Sequence, residues 1–77
     1  MNFTHEANPV RVNARVVVNQ RSFNPPSFTL DDGTVYVADA GMLARYVPAS
    51  GDYLVTQEDG YEYFNPKDVF ERKYRSL

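Results

Sequence analysis

The sequence predicts an α+β fold, a small single domain in which an antiparallel sheet of about five strands is packed by a C-terminal helix and a short middle helix. Three observations carry this expectation. Apolar residues at every second position from Val10 to Val18 indicate a strand. The pairs Asp32-Gly33 and Asp59-Gly60 sit between strand-like runs and indicate two β-hairpins. Asn65-Pro66 then opens a stretch whose apolar residues fall at helical spacing. With 77 residues the chain has room for one domain and one modest core.

Residues 1–9 (MNFTHEANP) show no periodicity and are expected to form a flexible N-terminal arm, leaving residues 10–77 as the single α+β domain. Val10, Val12, Ala14, Val16 and Val18 alternate with Arg11, Asn13 and Arg15, a pattern that suits a sheet with one face on the core and one toward water. Asn19 to Ser27 contains consecutive prolines and is expected to end that strand in a surface connection. Phe28 to Leu30 and Thr34 to Ala38 are then the two arms of the first hairpin, around Asp31-Asp32-Gly33.

Asp39 is positioned to cap a short helix through Tyr46, with Met42, Leu43 and Tyr46 as its apolar stripe and Pro48 beyond its end. In the second hairpin Tyr53, Val55 and Gln57 share one face and Leu54 and Thr56 the other, with Tyr61 and Tyr63 alternating with Glu62 and Phe64 on the return strand. Asn65 as N-cap, Pro66 at the first helical position and Asp68 in the first turn predict the terminal helix, with Val69, Phe70, Lys73 and Tyr74 inward and Phe70 in the core.

Composition excludes several kinds of chemistry. Cysteine is absent and His5 is the sole histidine, so thiolate metal sites, cysteine nucleophiles and histidine pairs have no residues to build them. The four glycines are dispersed, without phosphate-loop spacing, and the serines lack a nucleophile-elbow context. Adjacent acids, Asp31 with Asp32 and Glu58 with Asp59, occupy turn positions where aspartate is favoured for its backbone hydrogen bonds. The expectation is a protein that is not an enzyme and carries no cofactor or metal. No apolar run is long enough for a membrane span, and no membrane association is expected.

Two residue groups keep binding hypotheses alive. Six tyrosines and five phenylalanines exceed what so small a core encloses, and Tyr53, Tyr61 and Tyr63, with Glu58, Asp59 and Glu62 nearby, form a candidate partner-binding surface rimmed by acid. The net charge of −2 is divided unevenly: residues 1–30 carry +2 and residues 31–77 carry −4. Arg11, Arg15 and Arg21 are therefore a candidate anion-binding set, although on an acidic domain a solvated sheet face explains them better than nucleic acid does. Small size also makes a homo-oligomer a way to add buried area.

The segments GDYLV and EDGYEYFNPKDVFERKY resemble the end of small, mostly uncharacterised proteins of tailed bacteriophages and prophages, which finish in a GDYxV, DGY, P, FE and Y pattern. PVRVNARVV is similar to a proline-led strand in some of them. Ser50 stands where a proline is usual and Leu54 where tryptophan is frequent. The resemblance implies a phage accessory protein in the cytoplasm of an infected bacterial cell and brings no active site with it. The resulting expectation is a non-catalytic binding protein that contacts a host or phage protein, for instance to inhibit a host enzyme or defence system. The alternatives are a self-associating structural or assembly protein and a module that sequesters a nucleotide-like ligand.

Overall fold

The computed structural model describes residues 3–7 and 10–76. Its element order is β1 (His5–Ala7), β2 (Val10–Phe23), β3 (Pro26–Leu30), β4 (Val35–Val37), α1 (Ala40–Arg45), β5 (Tyr53–Gln57), β6 (Glu62–Asn65), α2 (Lys67–Lys73) and β7 (Arg75–Ser76). The α+β class holds, but among the described residues the sheet has seven strands rather than about five. All the pairings are antiparallel.

The extra strands come from segments expected to be irregular. His5–Ala7 pairs with both β2 and β7, so this part of the expected arm is sheet; residues 1, 2, 8 and 9 lie outside the described residues. The chain leaving α2 does not end there but returns as β7, whose Arg75 binds Glu6 of β1 at 2.7 Å. β2 continues through the expected connection to Phe23, and a tight link at Asn24 and Pro25, joined by a cis peptide bond, leads straight into β3. Both prolines sit at the turn and the start of β3, where a missing N–H costs least.

β2 is the organising element because its two halves serve different neighbours. Val12 to Val16 pairs with β5, Val10 to Val12 with β1, and Val17 to Phe23 with β3. Register shifts after Val17 and after Gln20 separate the halves, which accounts for the interruption of strict alternation at Val17. Backbone bonds from Val17 N–H to the Asp52 carbonyl and from Gly51 N–H to the Val17 carbonyl close the junction.

Both faces of the central sheet are covered, which corrects the expectation of one wet face. Leu54 and Val55 are neighbours on β5, point to opposite faces, and are both buried. One core joins Val17, Phe28, Leu30, Ala38, Met42, Leu54 and Phe64, with α1 supplying Met42. The other joins Val12, Ala14, Val55, Phe70 and Tyr74 under α2. Cross-strand pairs Leu54–Phe64 and Val55–Tyr63 bind the second hairpin on both faces, as its alternation predicts.

The two Asp-Gly hairpins use the same device. Gly33 N–H donates to the Leu30 carbonyl and Gly60 N–H to the Gln57 carbonyl, while Thr34 N–H and Tyr61 N–H donate to the carboxylates of Asp32 and Asp59. Gly33 (φ 86°) and Gly60 (φ 91°) hold the left-handed position that closes a three-residue connection.

Asp39 caps α1 as expected, its Oδ1 accepting Met42 N–H at 2.8 Å. α2 departs from its expected start. Pro66, not Asn65, is the N-cap residue and offers no side-chain bond, while Asn65 ends β6 opposite Tyr53. The open amide of Lys67 is met instead by Asp52 Oδ1 at 2.9 Å. Phe70 and Tyr74 are buried as predicted, but Val69 and Lys73 are exposed.

Candidate functional site

The six residues of the candidate partner surface do not form one face. Tyr53 stacks on Phe70 with centroids 4.1 Å apart and donates its hydroxyl to Glu71 at 2.8 Å. Tyr63 meets the Tyr74 hydroxyl at 3.2 Å and packs against the α2 core. Burial, followed by these hydrogen bonds, pushes the phenols of Tyr53 and Tyr63 up to about 12. Both tyrosines are therefore largely engaged in holding α2.

Tyr61 is different. It is 44% exposed, stacks on Tyr63 with centroids 5.7 Å apart, and takes a hydrogen bond and a cation–π contact from Arg45 of α1. Glu58 and Asp59 are exposed at the adjacent turn. Glu62 is committed elsewhere: it accepts hydrogen bonds from Tyr36 at 3.0 Å and Thr56 at 3.1 Å. Burial, then this bond to Glu62, pushes Tyr36 to about 12.

The three arginines of the anion-binding set are likewise not assembled into a cradle. Arg11 pairs with Glu6 at 3.5 Å and Arg15 with Asp32 at 3.4 Å. Arg21 lies at the second register shift of β2, between Gln20 and Ser22, and among the described residues it has no ion-pair partner. A shallow cleft of about 340 Å³ beside Arg11 is also lined by Glu58 and Asp59, so an anion there would meet two carboxylates.

A second cleft, about 270 Å³, brings His5, Tyr53, Glu71, Tyr74 and Ser76 together over Phe70. His5 and Ser76 are register partners of β1 and β7, a juxtaposition that sequence spacing could not reveal. His5 Nδ1 engages Thr4 Oγ1 at 2.8 Å, and its ring meets Phe70 edge-on at 5.0 Å. Burial lowers its pKa. Among the described residues no side-chain hydrogen bond joins His5 to Ser76 or Glu71, so the relay a serine nucleophile needs is not formed. No cluster of three or more potential metal ligands occurs among the described residues. No helix among them is long and apolar enough to cross a membrane.

Exposed apolar side chains also occur on the unit formed by β2, β3 and β4. Phe23 at the β2–β3 tip is 82% exposed, and Val18, Val35 and Val37 are exposed on the same three-stranded unit. Phe23 pairs with Pro26, whose carbonyl accepts Ala38 N–H, which places Phe23 on the sheet face of Ala38, opposite to that of Val35 and Val37. From the sequence alone Phe23 falls in the expected connection between Asn19 and Ser27. Its available signal was a large apolar residue beside turn-forming prolines, where core burial is least expected. No family model, no curated protein and no solved structure matches this chain.

Proposed function

We propose that the chain is a non-catalytic binding protein, an accessory protein of a tailed phage or prophage that contacts a host or phage protein. The observation that carries the binding role is Phe23, 82% exposed at the β2–β3 hairpin tip. Large aromatic side chains in such positions are typical anchors of protein interfaces. Support for the phage setting comes from the GDYLV to FERKY pattern alone. The nucleotide-sequestering alternative loses support because Arg11 and Arg15 are engaged by carboxylates. Self-association through Val10 to Val18 loses its strand edge, since β1 and β5 pair along the first half of β2.

The test is affinity capture of the tagged full-length protein from infected cells, run in parallel with Phe23→Ser. The expected outcome is a phage or host protein retained by the unsubstituted chain and depleted on F23S at an unchanged melting temperature. Equal retention would remove Phe23 from the contact, and a lack of any specific partner would overturn the reading.

A further inference from the structure

We infer that the free edge of β4 binds an extended, apolar-centred peptide segment flanked by lysine or arginine, adding it to the sheet as a further strand. This rests on the protein-binding reading above and specifies its site and the chemistry of its partner.

The backbone geometry defines the edge. Leu30 N–H donates to the Thr34 carbonyl and Ala38 N–H to the Pro26 carbonyl, and Tyr36 pairs with Phe28 between them. In an antiparallel ladder the bonding direction alternates, so Thr34, Tyr36 and Ala38 turn their backbone groups toward β3. The N–H and C=O groups of Val35 and Val37 consequently point away from it, to the side where no strand pairs among the described residues. Their side chains are exposed as well, Val37 by 58%.

β4 is also the free edge without a charged guard. β6 carries Glu62, β7 carries Arg75, and the distal half of β2 carries Arg21, whereas β4 is Val-Tyr-Val. Natural edges are ordinarily blunted by charge, proline or bulges, so an unguarded edge is a template for strand addition.

Charge selects the occupant. Asp31 and Asp32 stand before β4 and Asp39 stands after it; Arg15 pairs only with Asp32. A second copy aligned antiparallel about Tyr36 would bring Asp31 and Asp32 of one chain beside Asp39 of the other, at both ends of the new ladder. Like charges so placed oppose self-pairing, and the same acids attract a strand with basic ends.

The test uses synthetic peptides and the full-length protein. One peptide alternates valine and threonine between terminal lysines, a second has glutamates in place of the lysines, and a third is the lysine peptide N-methylated at the amides that would bond β4. The expected result is binding of the lysine peptide with slowed amide exchange at Val35 and Val37, and at least about fivefold weaker binding of the glutamate and methylated peptides. Val37→Lys should weaken the lysine peptide by a similar factor while leaving the melting temperature unchanged. Failure of the lysine peptide to bind, equal binding of all three, or protection elsewhere than β4 would overturn the proposal. A concentration-dependent dimer in sedimentation that V37K abolishes would assign the edge to a second copy instead. A partner captured equally by the unsubstituted chain and V37K would sink the β4 site while leaving the binding function standing.

Discussion

Asp52 is the residue on which separate parts of the chain converge. It is 7% exposed, and its carboxylate accepts the Tyr46 hydroxyl at 2.6 Å, Ala49 N–H at 2.8 Å and Lys67 N–H at 2.9 Å. Burial pushes this carboxyl up, but the hydrogen bonds from Tyr46, Ala49 and Lys67 together outweigh it and hold the pKa below the ordinary value of 3.8. Because the folded value is depressed, Asp52 stabilises the fold above 3.8, and that contribution is lost as pH falls through the folded value. Asp52→Ala should cost about 1–3 kcal/mol, measured by urea unfolding at neutral pH, and the difference between D52A and the parent should shrink in acid. A constant difference down to acid pH would show that packing, not the carboxylate, carries the effect. The bond to Lys67 was not legible in the GDYLV motif, since a side chain's partner 15 residues away depends on tertiary placement.

At the level of elements, local chemistry was readable wherever the deciding atoms were close in sequence. Asp39 capping α1 and the glycine-closed hairpins follow from interactions within a few residues, and the inward face of Phe70 follows from helical spacing. Gly60→Ala should lower stability by about 1 kcal/mol or more because φ is 91°, although no atom lies within 4 Å of the added methyl group; Gly60→Asn should cost less. Thermal melts of the two variants check the order, and equal losses would argue against a conformational origin. Misreadings occurred where distant pairing overrode local signals. The double proline suggested a break, yet it occupies the turn of a continuous hairpin, and β1 and β7 are too short to show periodicity but stabilise each other across the chain ends. The tyrosine face shows the same limit of local signals: alternation places Tyr53 and Tyr63 on one face, but cannot say that α2 packs on them.

Taken as one body, the protein has two cores on opposite sides of shared strands. β2 supplies Val12 and Ala14 to one core and Val17 to the other, while β5 supplies Val55 and Leu54 in the same way. Neither core can dissolve without releasing strands that the other requires. Phe28→Ala and Phe70→Ala, one in each core, should therefore each cost about 3–5 kcal/mol and shift a single unfolding transition. Tyrosine fluorescence and far-ultraviolet circular dichroism should report the same midpoint in each variant. Separate transitions would mean that the cores are independent. This arrangement also explains why composition suggested an excess of aromatics for one modest core, since the chain divides them between two.

The bond from Lys67 N–H to Asp52 has one more consequence. The same carboxylate holds Tyr46, the C-cap residue of α1, while the amide opens α2 on the other face of the sheet. The exchange rate of that single backbone proton thus becomes an internal gauge of whether α1 is docked, readable without a label on α1 itself.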